Sequence, residues 1–527
     1  GEVTLGGVSL TIDSWMNTQI EVTTVPSVPQ GPNQLNIINA MGNELINGLT
    51  IHKVVGSYTP VIYEVGVGKA FDPQSSDTAI QDAIDAAAQA GGDALVVVYP
   101  GFAEQWNPYG SYYENLIIYS PIKLQGVGPG GFNTLDEYTP GTVLDGRGVA
   151  GDTPYAEEWR VRIESDPAIA WDGLQAIYEG AGMYVLAEDG EFTSQFNAAI
   201  DGFTISGSDQ QGFLNQGAPV APDERGIAAV QGGGIFVNGY ARFLQITNNI
   251  LQSNGGAYGG AIRLGTPHLI GFDLQSATNL SDSQNDNVRI AHNRILANGG
   301  TNLAGAIGLF SGTENYEIAY NDICGNYSAE YGGGISHYGY SPGGEIHDNR
   351  VYFNRSYDEG GGIIIAGELP PEPTMLTPGA GEVNVYNNLI QANLANDDGG
   401  ALRFLMAGDF PYEVFNNIIV NNISTHEGAG ISLNDAPDVT VFNNTIMKNI
   451  TTASAMTSNG LPAPTGLSTS RNSSLLQSTL DPNAPIFSNP LLFNNIFWDN
   501  RAGTFTGATV AGIGLEGDPT GIVHWDV

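Results

Sequence analysis

The sequence predicts an all-β fold: a parallel β-helix of three-strand coils about 28 residues long, with a capping helix before the coils and a small β segment at the N-terminus. Three observations support this prediction. An asparagine motif recurs at intervals of 27–29 residues, a glycine-rich corner recurs with the same period, and no stripe of helical periodicity runs through the repeats. The composition agrees, since the chain has 71 glycines and only 14% charged residues.

Residues 1–58 alternate apolar and polar positions as β-strands do. The clearest runs are 8–12, 18–22 and 34–38. The order Leu-Gly-Gly, Ser-Trp, Thr-x-Ile-x-Val and a later Pro and Gly resembles the later strands of an immunoglobulin-like domain of the IPT/TIG type. The resemblance implies that residues 1–58 are part of such a domain. Because the chain also opens on Gly1 and stops on a strand-like segment, we expect it to belong to a larger multidomain protein.

A capping helix is predicted at about residues 78–90, with Asp77 or Thr78 as its N-cap and Ile80 and Ile84 on its buried face. A helix in this place covers the open sheet edge at the end of a β-helix. Strand-like runs follow it. They occupy residues 94–101, 113–118 and 121–128.

The helix, the Pro100-Gly101 that ends the first run and the Leu-x-Gly-x-Gly turn at 124–128 resemble the first coils of pectin-lyase-like right-handed β-helix proteins. The resemblance covers about residues 66–500, and it implies a right-handed β-helix over residues 66–527. That superfamily contains lyases, glycosidases, epimerases, esterases, phage tailspikes and adhesins, so the resemblance implies a fold and no particular activity.

The asparagine motif occurs eight times, each time with two asparagines five residues apart and an apolar residue two positions after the first. The pairs are Asn249/Asn254, Asn293/Asn298, Asn321/Asn326, Asn349/Asn354, Asn388/Asn393, Asn417/Asn422, Asn444/Asn449 and Asn495/Asn500. Glycine-rich triplets such as Gly360-Gly361-Gly362 precede an apolar residue in most periods. Stacked asparagines can hydrogen-bond along a column and tolerate left-handed turns, and glycine supplies positive φ at the other corner. Regular coils are therefore predicted at about residues 230–450.

Residues 451–488 are rich in Ser, Thr, Pro and Asn and are predicted to form an irregular arm, followed by the last coils at 489–527. Four insertions all follow the strand after the glycine corner. They span residues 265–287, 339–344, 366–382 and 406–411. We therefore expect them to emerge along one edge of the solenoid and to frame a groove.

Charge and cysteine content exclude several functions. The chain has 55 acidic residues against 17 Lys+Arg, a net charge of −38, which excludes nucleic-acid binding. The single Cys324 excludes a disulfide scaffold, and the absence of any apolar run of about 18 residues argues against a membrane span. The acidity and the scarcity of cysteine indicate an extracellular or surface-exposed bacterial protein.

Just before the glycine corner, four consecutive coils carry a column of acidic residues and one histidine. Its members are Glu330, Asp358 and Glu359, Asp397 and Asp398, and His426 and Glu427. Stacked strands would place neighbours ~5 Å apart, and like charges at that distance raise one another's pKa or need a cation. The column is therefore a solvated corner, a glycan or calcium contact, or a catalytic cleft.

Each of these alternatives assigns residues. An enzyme would use Asp358, Glu359, Asp397, Asp398, His426 and Glu427 as its catalytic groups. The candidate substrate-binding residues are Glu330, Tyr331, Tyr338, Arg263 and Arg403. The candidate calcium ligands are Glu359, Asp398 and Glu427, and no other cofactor is predicted.

Two reaction types stay open for such an enzyme. A glycosidase would use a protonated acid and a carboxylate, whereas a lyase would use Ca²⁺ to neutralise a substrate carboxylate and Arg403 to take the proton. The runs 396–398 and 426–428 resemble the Asp-pair and Gly-His-Gly motifs of polygalacturonases. However, Thr425 and Glu427 stand in place of the two glycines, and no Arg-Ile-Lys follows. A net charge of −38 disfavours a polyanionic substrate.

Two further segments, 328–342 and 494–501, resemble large bacterial secreted β-helix proteins, some of which are labelled multicopper oxidases. The chain encodes no copper site of that kind, because its seven histidines form no His-x-His pair and Cys324 has no histidine beside it. His337 lies at a position that is apolar in the other coils, so it is predicted to be a core histidine.

The sequence thus favours an extracellular or surface-exposed β-helix module of a larger protein, a structural or adhesive element that contacts polysaccharide or other glycans. The alternative is a polysaccharide-degrading enzyme, a glycoside hydrolase or lyase, that acts at the acidic column.

Overall fold

The computed structural model describes all residues except 18, 43–47, 55–58, 133–136, 150–153, 173–179, 209–232, 268–281, 301, 371, 373 and 519. The described residues form a parallel β-helix with a small antiparallel sheet before it. The predicted start of the regular coils at residue 230 and most of the predicted insertion at 265–287 lie outside the described residues. No helix in the described ranges is both long enough and apolar enough to cross a membrane.

The β-helix consists of four parallel sheets, which we call sheets I to IV in the order in which one coil visits them. The first asparagine of each motif lies between sheets I and II, the second between sheets II and III, and the glycine corner between sheets III and IV. The sequence pattern predicted three strands per coil, and the structure adds the short strands of sheet III. These strands have only two residues, so they carry no alternation that a sequence can show.

The strands pair in parallel with their copies in the next coil. Sheet I contains Ile62–Val65, Ala94–Val98, Ile122–Gly126, Ala199–Asp201, Gln245–Thr247, Arg289–Ala291, Glu317–Ala319, Gly344–His347, Val383–Tyr386, Tyr412–Phe415, Val439–Phe442 and Leu491–Phe493. Sheet II contains Thr142–Asp145, Phe203–Ser206, Ile250–Gln252, Arg294–Leu296, Asp322–Cys324, Arg350–Tyr352, Leu389–Gln391, Ile418–Val420, Thr445–Met447 and Ile496–Trp498.

The other two sheets complete each coil. Sheet III contains Gly255–Gly256, Gly299–Gly300, Tyr327–Ser328, Arg355–Ser356, Leu394–Ala395, Ile423–Ser424, Ile450–Thr451 and Arg501–Ala502. Sheet IV contains Leu116–Ile118, Met183–Val185, Ile235–Val237, Ile262–Leu264, Ile307–Phe310, Ile335–Tyr338, Ile363–Ala366, Leu402–Leu405, Ile431–Leu433 and Leu467–Thr469. Leu467–Thr469 belongs to the stretch predicted as an irregular arm, which also holds the short helix Ser474–Gln477.

Both asparagine columns are continuous ladders inside the β-helix. Asn393, for example, donates its backbone N–H and its Nδ2 to Oδ1 of Asn422 in the next coil, both at 3.0 Å. Its Nδ2 also donates to the backbone oxygen of Val351 at 2.9 Å, and its own Oδ1 accepts from Asn354 of the preceding coil. One buried side chain therefore satisfies two backbone groups of the preceding coil and bonds to the ladder asparagine of the next, which explains why asparagine recurs there.

The left-handed turn residue is the one before each ladder asparagine and not the asparagine itself. Ala392 has a φ of 54° and Phe353 a φ of 55°, and the residues preceding the other ladder asparagines share this conformation. The ladder asparagine is needed for its amide, so the strain of the turn falls on the preceding position. That position is filled by Asn in several coils and by Ala, Phe or Lys in others.

The predicted capping helix is present as Ala79–Gln89, with Ile80 and Ile84 fully buried. Thr78 is its N-cap residue, but its side chain makes no capping hydrogen bond. The carboxylate of Glu114 instead accepts the backbone N–H groups of Ile80 at 3.1 Å and Gln81 at 3.0 Å. Burial raises the pKa of Glu114 to about 8, although these two hydrogen bonds oppose the shift.

A second helix, Pro154–Ser165, was not predicted from the sequence. It packs on the outer side of the first strands of sheet IV, where Trp159 stacks on Tyr184 with ring centroids 6.0 Å apart. Its apolar face is short, so the 3.6-residue period is weak even though Pro154 is a typical first residue of a helix. A 3-10 helix, Gly146–Val149, precedes it.

The N-terminal strands form an antiparallel sheet in the order Val8–Ser9, Glu2–Leu5, Gly31–Ile38 and Leu49–Lys53, with the hairpin Thr11–Trp15/Ile20–Thr23 beside it. The sheet is fixed to the β-helix at Asp201, which is buried and accepts hydrogen bonds from Thr50 N at 3.2 Å and Thr247 Oγ1 at 2.6 Å. The IPT/TIG resemblance of residues 1–58 stays a prediction.

Two further antiparallel hairpins complete the described elements. They are Gly131–Phe132/Tyr138–Thr139 and Thr504–Phe505/Val510–Ala511.

Replacing a ladder asparagine tests how much the ladder stabilises the coils. Asn393→Ala leaves the Val351 carbonyl and the Asn354 N–H without their partner, so we expect unfolding to become easier by about 2–4 kcal/mol. Urea denaturation followed by circular dichroism measures the change. Asn483→Ala, in an exposed loop, is the matched control and should shift stability by less than about 0.5 kcal/mol. Equal effects of the two substitutions would contradict the ladder's role.

Candidate functional site

The acidic column lies on the corner between sheets III and IV, and buried hydroxyls fix its backbone. Ser424 Oγ donates to the backbone oxygen of Glu427 at 2.9 Å and accepts the N–H of His426 at 3.1 Å. Ser356 Oγ accepts the N–H of Asp358 at 3.1 Å in the coil before. Sequence reasoning missed these residues. Their shared position could have identified them, because both serines stand two residues after the second asparagine of their motif.

Arg403 lies at the centre of the column, from the strand of sheet IV that follows the corner. Its Nε donates to Glu359 Oε2 at 2.6 Å, and its NH2 nitrogen lies 3.2 Å from Asp398 Oδ2. A third guanidinium nitrogen donates to the buried hydroxyl of Ser432. Only 3% of its side chain is exposed, so Arg403 neutralises neighbouring carboxylates from inside the corner.

His426 supplies the second positive group. Its Nδ1 lies 2.9 Å from Asp398 Oδ1 and 3.3 Å from Asp397 Oδ1, and Thr457 Oγ1 donates to the same Asp397 oxygen at 2.7 Å. The hydrogen bonds with Asp397 and Asp398 outweigh partial burial and raise the pKa of His426 to about 10. The imidazole is therefore charged at neutral pH and forms ion pairs with both aspartates.

The carboxylates of the corner respond differently to this arrangement. Burial raises the pKa of Glu359 to about 7, with the attraction of Arg403 opposing the shift and the charge of Asp398 adding to it. Burial and the charge of Asp397 also raise the pKa of Asp358. Burial raises the pKa of Asp397 as well, but the hydrogen bonds from His426 and Thr457 outweigh it, so the net shift is downward.

Glu427 closes the column on the side of the last coils. Its Oε1 accepts a hydrogen bond from Ser470 at 3.1 Å, and its backbone N–H donates to Asp398 Oδ1 at 3.2 Å. Burial and the charge of Asp398 raise the pKa of Glu427. Ser470 and Thr457 both come from residues 451–488, so this stretch packs on the corner. Neither contact could be predicted from the repeat pattern, because both residues lie outside the repeat.

The structure brings the six candidate catalytic residues together, but it does not place all the candidate substrate-binding residues at the surface. Arg263 and Tyr338 are both buried, Arg263 over the ring of Phe236 at 4.1 Å and Tyr338 with its hydroxyl accepting the N–H of Leu369 at 3.2 Å. Glu330 is exposed and Tyr331 half-buried. The prediction that Arg263 and Tyr338 contact substrate is therefore wrong, because both side chains are buried and pack inside the protein.

The predicted core histidine, His337, is fully buried. Its Nε2 lies 2.8 Å from the carbonyl oxygen of Gly339 and 3.0 Å from that of Ala380, so this nitrogen carries the proton. Nδ1 then accepts the hydroxyl hydrogen of Tyr316 at 2.9 Å. Burial lowers the pKa of His337 to about 4, so it is neutral and structural.

The insertions after sheet IV stack along one edge, as their shared position predicts. The backbone N–H of Gly339 donates to Ala366 O at 2.9 Å, and that of Ala380 donates to Ala407 O at 2.8 Å. Gly408 N–H donates in turn to Asp435 O at 2.7 Å. The described insertions therefore form a continuous wall along the edge that follows sheet IV.

Two groups of side chains in the described part of the column have the spacing of metal ligands. Asp358, Glu359 and Asp397 have ligand atoms within 4.8 Å of one another, and so do Asp397, Asp398 and His426. The predicted set Glu359, Asp398 and Glu427 is not one of the groups found among the described residues. Carboxylate oxygens suit Ca²⁺, and the Asp358–Glu359–Asp397 group fits it better because His426 is already a cation in the other.

Comparisons with known proteins add little beyond the fold. No protein-family model matches the chain, and no curated protein matches it in sequence. Among solved structures, the A-module of the mannuronan C-5 epimerase AlgE6 from Azotobacter vinelandii is similar, with a TM-score of 0.41 and 17% sequence identity over 80% of this chain and 82% of that one. A similarity of this size carries no argument about activity.

The His426 ion pairs predict a specific pH dependence of stability. The folded-state pKa near 10 exceeds the usual value of 6.5, so the stabilisation is complete below about pH 6.5 and is lost as the pH rises through 10. We expect His426→Gln to destabilise the protein by about 1–2 kcal/mol at pH 6, after solvent screening, and by almost nothing at pH 10.5. Urea denaturation at both pH values measures this, with the exposed His524→Gln as control. A constant difference between wild type and His426→Gln across this range would contradict the ion pairs.

Calcium binding at the corner stays a prediction, and the Asp358, Glu359 and Asp397 group gives it a direct test. We expect 5–10 mM CaCl₂, about the concentration that saturates a weak extracellular site, to raise the melting temperature of the wild type at pH 7.5. Asp358→Asn should abolish that increase, whereas Glu413→Gln, on the exposed side of sheet I, should preserve it. An equal increase in both variants, or none in the wild type, would show that the corner does not bind calcium.

Proposed function

We propose that the protein is an extracellular or surface-exposed β-helix module of a larger protein, and that it serves as a rigid structural or adhesive element that contacts glycans along the loop-framed corner. The observation that carries this proposal is the internal pairing of Arg403 with Glu359 and Asp398. The side chains that would have to bind and transform a substrate are already bound to one another. Such a cluster supports a fixed surface better than a reaction cycle.

The described geometry also argues against a lyase with Arg403 as its base and against an inverting glycosidase at the Asp358–Glu359–Asp397 group. A lyase needs a base, but Arg403 is buried, and its two carboxylate partners outweigh burial and raise its pKa. An inverting glycosidase separates its two carboxyl groups by about 6.5–9.5 Å to leave room for water. One carboxylate oxygen from each of Asp358, Glu359 and Asp397 lies within 4.8 Å of the other two, which is closer than that separation.

Contact with glycans is supported by the groups that the corner leaves accessible. Glu330 is exposed, and Asp358 and Tyr331 are partly exposed. Carboxylates and a phenol in a row can accept and donate hydrogen bonds to successive sugar hydroxyls. The parallel ladders hold these groups at the repeat of the coils, ~4.8 Å, so the surface is preorganised for a linear chain.

One observation favours the alternative, a polysaccharide-degrading enzyme. Glu359 has a pKa of about 7, whereas the pKa of Asp397 is lowered, so the corner holds a protonatable acid near an ionised carboxylate. Acid and base pairs in glycosidases are separated in this way. A reaction at the corner would require Arg403 to release Glu359.

Binding and product release from a polysaccharide panel separate the two functions. We expect the wild type to be retained on at least one insoluble glycan without releasing reducing ends. Asp358→Asn and Glu330→Gln should each weaken retention several-fold, because each removes an accessible acceptor, while Glu413→Gln on sheet I should not. If the wild type releases product and both Asp398→Asn and Glu359→Gln do not, the purely structural role is wrong and the protein is an enzyme.

A further inference from the structure

A group of exposed aromatic side chains lies on the first coils, far along the chain from the acidic column. It consists of the exposed Trp106, Tyr109, Tyr113 and Phe132 together with the partly buried Tyr138, and we call it the aromatic cluster. Trp106 is 70% exposed and Phe132 62% exposed, although large aromatic side chains gain most from burial. The two loops that carry them enclose a cleft of about 580 Å³.

The rings of the cluster pack against one another. Trp106 and Tyr113 are stacked with centroids 5.9 Å apart and planes inclined by 24°. Tyr138 meets the edge of Tyr109 at 5.0 Å and lies 5.2 Å from Phe132. The Trp106–Tyr113 pair also borders a second cleft of about 570 Å³, so one aromatic ridge separates two neighbouring clefts.

The loop that carries Trp106 is held rigidly. The Asn107 side chain is buried, with Nδ2 donating to Ser111 O at 2.9 Å and Oδ1 accepting Ser111 N–H at 2.9 Å. The neck of the loop is closed by Gly101 N–H donating to Gly110 O at 3.0 Å, and a Cβ on either glycine would come within 2.5 Å of the other's carbonyl oxygen. The hydrogen bonds within this loop therefore hold Trp106 in a fixed position at the surface.

The floor of the 580 Å³ cleft carries a periodic polar row next to the row Val143, Thr204 and Ile250. It consists of outward-facing residues of the first three strands of sheet II, in which Asp145, Ser206 and Gln252 are in register. Thr204 lies beside them and donates its hydroxyl to Pro129 O at 2.8 Å, which anchors the second loop. Aromatic rings above a row of hydroxyl, amide and carboxylate groups form a surface that is apolar on one side and hydrogen-bonding on the other.

The charge of the clefts restricts what they can bind. The guanidinium of Arg147 is held by Asp145, with Nε donating at 2.8 Å to Oδ1 and NH2 at 2.6 Å to Oδ2. The second cleft is lined by the carboxylates of Asp77 and Glu104 and by no lysine or arginine among its described residues. An anionic ligand would meet uncompensated negative charge, as it would over most of a chain with a net charge of −38.

We propose that the aromatic cluster and its two clefts are a binding site for a neutral polysaccharide, with one pyranose ring stacked on Trp106 and its neighbours in the clefts on either side. A pyranose has an apolar face of C–H groups and a rim of hydroxyls, which matches rings above a polar row. This inference rests on the proposed function, because both require the module to recognise glycans, but it assigns recognition to a second surface.

Isothermal titration calorimetry of the full chain with cellohexaose, mannohexaose and hexagalacturonate tests the site. We expect binding of at least one of the two neutral hexasaccharides, no binding of hexagalacturonate, and at least tenfold weaker binding by Trp106→Ala. Trp106→Phe should stay within about threefold of the wild type. Trp498→Ala, which removes an exposed tryptophan from the last coils, is the matched control and should bind like the wild type. Since Trp106 is exposed, its variants should keep the wild-type melting temperature.

The possible outcomes distinguish a failure of the aromatic site from a failure of the proposed function. If the wild type binds a neutral hexasaccharide and Trp106→Ala binds it equally well, the aromatic site is overturned while glycan recognition stands. If only hexagalacturonate binds, the neutral class is wrong. If no glycan binds here or is retained in the polysaccharide panel, the proposed function and this inference fall together.

Discussion

The hydrogen bonding of each coil to the next is the constraint on which the rest of the structure depends. The two asparagine ladders extend it beyond the backbone: Asn354 donates to Oδ1 of Asn393, and Asn393 donates to Oδ1 of Asn422, each time at about 3 Å. Buried amides that satisfy one another in this way tolerate neither a change of register nor a different side chain. As a result, residues at equivalent positions in different coils must lie directly above one another.

The acidic corner follows from that constraint. Stacking in register forces five carboxylates of three consecutive coils close together, an arrangement that isolated side chains would avoid. The protein stabilises it with two cations, the buried Arg403 and the charged His426, and with hydroxyls such as Ser424 beneath the backbone. The corner is therefore a polar network in which two cations offset part of the charge of five carboxylates.

The repeat made the fold and the members of the corner predictable, because one coil specifies the position of the next. The direction of a side chain was not predictable in the same way: Arg403 and Arg263 occupy equivalent positions, but one pairs with carboxylates and the other lies over Phe236. Thr457 and Ser470 contact the corner from outside the repeat, and helix Pro154–Ser165 lacks a strong apolar period. The aromatic cluster was missed because residues 106–138 precede the repeats, where nothing indicates which loops meet.

The central claim is that the module recognises glycans with surfaces that the coils hold fixed, while the charged corner stays paired. A crystal structure of the protein soaked with a neutral oligosaccharide tests it most directly. The account predicts a sugar ring on Trp106, with Arg403 still bonded to Glu359 and Asp398. A sugar or its cleaved product bound between Glu359 and Asp397, with Arg403 displaced, would contradict it.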